Sequence, residues 1–94
     1  MTTISATVLS KPGCAPCLWV KKALDQHGVP YVERDVLADP AALDQLLDLY
    51  ANIRRGQHPS TPVTIITSDL GVETVFGADI HSAVKRHTRA ADAA

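Results

Sequence analysis

The sequence predicts a single α/β domain with the element order β-α-β-α-β-β-α, a mixed four-stranded sheet flanked by three helices. Three observations predict it. β-prone runs alternate with segments of helical period along most of the chain. Strands separated by helices favour parallel pairing through right-handed crossovers. The last two strands are separated only by a turn, so they pair as an antiparallel hairpin. At 94 residues the chain is long enough for one compact domain and too short for two.

Each element has its own signal. Residues Ile4 to Leu9 alternate and are β-prone, which makes them strand one, and Ser10-Lys11-Pro12-Gly13 is a turn. A helix opens at the cysteine pair and runs from Cys17 to His27, with Val20, Ala23 and Leu24 on the face below Cys17 and Gly28 as its stop. Tyr31 to Val36 is strand two, with Glu33 and Arg34 solvated. Asp39 caps a second helix that has Pro40 at its first position. Leu43, Leu46, Leu47 and Tyr50 follow helical spacing, and the helix ends near Ile53, before Arg54-Arg55-Gly56 and a loop over Gln57 to Ser60. Val63 to Thr67 is strand three, Ser68-Asp69-Leu70-Gly71 the hairpin turn and Val72 to Phe76 strand four. Gly77 breaks that strand. A last helix carries Ile80, Ala83, Val84 and His87 on one face, and residues 90–94 are expected to fray.

Composition excludes several classes. The chain is 46% hydrophobic and 20% charged, enough for a small core. A formal net charge of −1 leaves no basic footprint for nucleic acid and no attraction to an anionic membrane. No apolar run is long enough to span a bilayer. Met1-Thr2-Thr3-Ile4 lacks the charged and apolar regions of a secretory signal, so the cytoplasm is the expected compartment. In that compartment two closely spaced cysteines point to catalysis or metal binding, not to a disulfide scaffold.

The cysteine pair, Cys14-Ala15-Pro16-Cys17, follows a strand and opens a helix. A helix start presents unpaired N–H groups and the positive end of the dipole, both of which favour an anion. A thiolate there has a lowered pKa and is the nucleophilic form. Cys14, at the exposed lip, is the expected attacker, and Cys17, one turn in, the resolving partner. Pro16 fixes the first turn without needing an N–H. Lys11 is positioned to add positive charge, or is simply a solvated turn residue. Thr61-Pro62 stands at the head of a strand, where proline cannot donate to the ladder. A cis bond there would place a backbone edge near the cysteines, and spacing leaves the isomer open.

Taken together, Lys11-Pro12-Gly13-Cys14-Ala15-Pro16-Cys17, Lys22-Ala23-Leu24-Asp25 with Gly28-Val29-Pro30-Tyr31, Thr61-Pro62-Val63 and Gly77-Ala78-Asp79 resemble the glutaredoxin and NrdH-redoxin branch of the thioredoxin fold, over nearly the whole chain. The resemblance implies a thioredoxin fold, a redox-active Cys14/Cys17 disulfide, a cis Pro62 and a thiol substrate held by the Thr61 backbone. It implies a glutathione site in which Asp79 meets the γ-glutamyl end and Lys11 and Gln57 the glycyl carboxylate, while Asp79, near a helix start, also has a plain capping role. Gly77 belongs to the same substrate-facing segment. Thioredoxin reductase or a glutathione-type thiol is the implied reductant, and a disulfide-bearing protein such as ribonucleotide reductase the implied substrate. No cofactor is implied, and a monomer is expected. Two departures stand out. Glu73-Thr74-Val75-Phe76-Gly77-Ala78 replaces the Trp-Ser-Gly-Phe-Arg-Pro stretch of the NrdH branch, and Ala15-Pro16 lacks the aromatic of the glutaredoxin CxxC.

Rival readings are weaker. A zinc site would need Cys14, Cys17 and two of His27, His58, His81 and His87, and the His81–His87 separation fits poorly. His87, on an apolar face, reads better as a satisfied core residue. Arsenate reductase-like and Spx-like proteins share the opening segment but are longer and carry an inserted helical region, and the short link from the second helix to Pro62 argues against them. A partner-binding module with the thiols as a clasp is the remaining non-catalytic alternative. Arg54-Arg55 complements a helix C-terminus or docks an acidic partner. Trp19, off the main apolar stripe, packs in the core or meets protein partners.

Overall fold

The computed structural model describes residues 4–93. The order is β1 (Ser5–Ser10), α1 (Ala15–Gln26), β2 (Tyr31–Asp35), α2 (Pro40–Ile53), β3 (Val63–Ser68), β4 (Gly71–Phe76) and α3 (His81–Ala93). The strands lie in one sheet in the order β2-β1-β3-β4. β1 and β2 are parallel, with Ala6 opposite Tyr31, and β3 and β4 are antiparallel, with Ser68 opposite Gly71. β3 is also antiparallel to β1, with Leu9 opposite Val63, although a helix separates it from β2. Segment 54–62 returns the chain to the C-terminal end of β1 before β3 begins, so β3 has to run back. That return brings Thr61-Pro62 beside the turn after β1.

Both sheet faces are covered, so β1 is buried in consecutive residues, Val8, Leu9 and Ser10, and not only in alternate ones. One core joins Val8 and Ile66 to Val20, Ala23 and Leu24 of α1 and Ile80, Ala83 and Val84 of α3. The other joins Leu9 and Val63 to Ala42, Leu46 and Tyr50 of α2.

The helix ends follow from local chemistry. Cys14 is the N-cap of α1, which therefore starts two residues ahead of the expected Cys17. At the far end Gly28 has φ +67, and its N–H donates to Asp25 O at 3.1 Å while Val29 N–H donates to Leu24 O at 2.9 Å. This is a Schellman closure, in which glycine accepts a left-handed backbone and the next apolar residue is buried. Asp39 caps α2, accepting from Ala41 N–H at 3.0 Å and Ala42 N–H at 3.4 Å.

Two expectations need correction. The buried stripe of α2 is Ala42, Leu46, Leu49 and Tyr50, whereas Leu43 and Leu47 face outward at 38% and 43% exposure. Both stripes have helical period. The choice turned on Ala42, whose small side chain lets the helix sit close to the sheet. Backbone helix also continues to Ala93 through the segment expected to fray, and Ala94 lies outside the described residues. Trp19 is on the surface, at 68% exposure, and packs in neither core.

His87 is buried, as its apolar neighbours imply, and both ring nitrogens are engaged. Ser68 Oγ meets Nδ1, and Glu73 Oε1 lies 3.0 Å from Nε2. Arg86 pairs with the other oxygen of Glu73. A polar clasp thus ties α3 to the β3–β4 hairpin.

Candidate functional site

The site forms where the C-terminal end of β1, the start of α1 and the start of β3 converge. Cys14 and Cys17 are joined by a disulfide with a Cα–Cα separation of 5.2 Å. Cys14 Sγ accepts the Cys17 N–H at 3.2 Å, so the sulfur occupies the place that a capping oxygen takes in other helices. Both residues are largely covered, Cys17 at 2% exposure and Cys14 at 9%.

The Thr61–Pro62 bond is cis, and Pro62 is buried. Thr61 also contributes its side chain: the hydroxyl donates to Cys14 Sγ at 3.5 Å. Only a backbone role was expected of this residue, because nothing in the linear sequence tells where its hydroxyl points. Gly77, with φ +93, donates its N–H to Pro62 O at 3.0 Å. The Gly77 segment is thereby fastened to the Thr61-Pro62 loop.

The remaining candidates fall at different places. Lys11 lines a cleft of about 520 Å³ with Cys14, Cys17 and Leu18. Gln57 is on the exposed loop after α2, where its N–H donates to Arg54 O at 3.1 Å. Asp79 lines a separate groove with Trp19, Lys22 and His81. It does not cap α3: Val84 N–H donates to Ile80 O at 2.9 Å, so the helix begins from Ile80. The structure therefore joins Cys14, Cys17, Thr61, Pro62 and Gly77 through direct contacts.

Sequence reasoning missed a polar group in the cleft wall. Glu33 Oε2 accepts from Lys21 Nζ and from Ser10 Oγ, each at 2.8 Å. The Lys21 ammonium, with help from Ser10, holds the Glu33 carboxyl below its ordinary value, and Glu33 raises Lys21 in return. Helical spacing carried a signal for Lys21, since it stands one turn beyond Cys17 on the same face of α1. Ser10 and Glu33 are adjacent only because β1 and β2 pair in parallel.

The histidines weighed as zinc ligands are dispersed. His87 is held by Ser68 and Glu73, and His27 meets His81 edge to face with centroids 5.8 Å apart. Among the described residues no group of three or more His, Cys, Asp or Glu side chains is gathered as metal ligands. No helix among them is long and apolar enough to cross a membrane.

Comparison with known proteins agrees with this architecture. The chain is similar to the crystal structure of the thioredoxin-like protein BC3987, with 33% identity, a TM-score of 0.63 and coverage of 86% of this chain and 97% of that one. Glutaredoxin 1 from Francisella tularensis, complexed with cacodylate, shares the fold at 20% identity and a TM-score of 0.51, covering 86% and 91% of the two chains. Among curated proteins, the global transcriptional regulator Spx of Listeria innocua is 30% identical over 43 residues, 46% of this chain. The match spans only 33% of the Spx chain. The fold is thus thioredoxin-like, and the CxxC disulfide supports thiol–disulfide chemistry in general terms. The Glutaredoxin family model matches residues 6–70, well over half of the chain, and the protein belongs to the glutaredoxin family.

Proposed function

We propose that the protein is a thiol–disulfide oxidoreductase that reduces protein disulfides, with Cys14 as the attacking thiol and Cys17 as the resolving one. The observation that carries this reading is the Cys14–Cys17 disulfide at the N-terminus of α1, beside Thr61-Pro62. In the reduced protein the helix start and the Thr61 hydroxyl favour the Cys14 thiolate over the thiol. The thiolate attacks a substrate disulfide, forming a mixed disulfide and releasing the first substrate thiolate. Cys17 then attacks Cys14 Sγ, losing its proton, and the second substrate thiolate departs. Two electrons pass to the substrate and the Cys14–Cys17 disulfide remains.

Thioredoxin reductase is the proposed source of electrons and ribonucleotide reductase the proposed substrate, in the cytoplasm. The similarity to a thioredoxin-like protein, which extends over 97% of that chain at 33% identity, supports this branch over glutathione. Lys11, Thr61, Pro62 and Gly77 form the substrate-facing surface in this reading. The test is NADPH consumption by the oxidised protein, with thioredoxin reductase in one reaction and glutathione plus its reductase in the other. Turnover with thioredoxin reductase is expected. Turnover with glutathione alone would transfer the reading to a glutathione-dependent glutaredoxin. Turnover with neither would end it.

A further inference from the structure

The α2–β3 connection carries a cation whose surroundings the reaction cycle above does not use. Arg54 Cζ lies 4.9 Å from the centroid of the Phe76 ring. Tyr50 meets the same ring edge-on at 4.9 Å, and its hydroxyl donates to Ser60 O at 3.2 Å, one residue ahead of Thr61. The Arg54 backbone is held from both sides. Its N–H donates to Tyr50 O at 2.9 Å, and its carbonyl accepts the Gln57 N–H. Arg54 is therefore a cation on a built platform, with less freedom to lose on binding than a free surface arginine has.

Its charge is not consumed within the fold. The ion pairs of the described residues engage Lys21, Arg34 and Arg86, whereas Arg54 and the neighbouring Arg55 have no carboxylate partner. Residues 51–60 are exposed throughout, so the guanidinium meets solvent on the side away from Phe76.

The platform borders the reaction site. Phe76 is the cross-strand partner of Val63, which follows Pro62, and Gly77 N–H bonds to Pro62 O. The path from the guanidinium to Pro62 crosses the 4.9 Å stack, the Phe76 side chain, one cross-strand step of roughly 5 Å and one chain step of about 3.8 Å, which bounds the separation at about 18 Å. An extended substrate advances about 3.3 Å per residue. The cation is thus within reach of side chains up to about five residues along a segment docked at the Thr61-Pro62 edge.

We propose that Arg54, seated on Phe76, is a specificity-determining cation that selects protein segments carrying a carboxylate within about five residues of the reacting cysteine. This rests on the oxidoreductase reading. The class of partner is an acidic disulfide-bearing segment, recognised by a charge pair at the rim of the site.

The test uses two synthetic peptides, each with a Cys-Gly-Ser-Cys disulfide loop. One has Glu and the other Gln at every position from two to five residues outside both cysteines. Single-turnover reduction by the reduced full-length protein is followed by chromatography. At low ionic strength the wild type is expected to reduce the Glu peptide about five-fold faster. Arg54→Gln should bring that ratio close to one, Arg54→Lys should keep part of it, and added salt should shrink it in the wild type. Equal rates in the wild type, or a preference that survives Arg54→Gln, would overturn the inference. Bis(2-hydroxyethyl) disulfide, neutral and without flanking residues, keeps the two failures apart. If the wild type reduces it but shows no preference between the peptides, the specificity inference alone falls. If the wild type reduces no disulfide at all, the oxidoreductase reading falls and this one with it.

Discussion

The hydroxyl of Thr61 donates to Cys14 Sγ at 3.5 Å across a sequence separation of 47 residues. In the disulfide the sulfur is a weak acceptor. Once reduced it becomes a charged one, and the same bond strengthens. Replacing Thr61 with Val keeps the shape of the side chain and removes the donor. The Cys14 pKa is expected to rise, because a hydrogen bond to the charged form is lost. Alkylation of the reduced protein by iodoacetamide at neutral pH should slow by about three- to ten-fold. An unchanged rate would leave the helix start as the sole activating element.

The corrected face of α2 predicts an asymmetry between neighbouring leucines. Leu46 is 4% exposed and Leu43 38%. Leu46→Ala should destabilise the fold by about 2–4 kcal/mol through lost burial and a residual cavity. Leu43→Ala should remain under about 1 kcal/mol. Urea unfolding at constant m separates the two. Equal losses would return Leu43 to the core stripe.

The clasp on His87 makes the hairpin and α3 interdependent. His87→Ala leaves a cavity and strips Ser68 and Glu73 of a partner, for an expected loss of about 2–4 kcal/mol. Ser68→Ala removes one hydrogen bond to a buried nitrogen and should cost about 1–2 kcal/mol. Since Cys14 and Thr61 lie at the other end of the sheet, folded Ser68→Ala protein should keep its alkylation rate. A slowed rate would show that the clasp also shapes the site.

Stability should fall on the acid side for identifiable reasons. The Lys21 ammonium holds Glu33 below its ordinary 4.5, and the Arg34 guanidinium holds Asp39 below its ordinary 3.8. The folded state then binds fewer protons than the unfolded one. These contributions are complete above the ordinary values and are lost as pH falls through the lower folded ones. Lys21 acts in the opposite sense. Raised above 10.5 by Glu33, it stabilises below that value, and the effect is lost as pH climbs through the folded value. Glu33→Gln should therefore flatten both limbs of a plot of unfolding midpoint against pH. An acid limb as steep as that of the wild type would remove Glu33 from the account.

Local signals were sufficient wherever one short stretch specified a structure. Asp39-Pro40 starts α2 because a carboxylate caps amides two and three residues on and proline needs no donor at the first position. Gly28 ends α1 because glycine adopts the left-handed backbone there without the strain that a β-carbon brings. Cys14 and Cys17 were legible as a candidate redox pair from their spacing at a helix start together with Thr61-Pro62 and Gly77-Ala78-Asp79. His87 was legible as a satisfied core residue from its place among apolar neighbours.

Tertiary structure decided what depends on segments far apart in the chain. The choice between the Leu43–Leu47 face and the Ala42–Leu46 face of α2 rests on how closely the helix approaches Leu9 and Val63, and period alone is the same for both. The antiparallel direction of β3 rests on the path of segment 54–62. The Thr61 hydroxyl, the Ser10–Glu33–Lys21 group and the Arg54–Phe76 platform each join residues from different elements. Sequence by itself determined the elements, their order and the candidate redox pair, because caps, turns and a CxxC act within a few residues. Side-chain direction and the environment of each sulfur and charge were decided only when the sheet brought β1, β3 and the helix ends together.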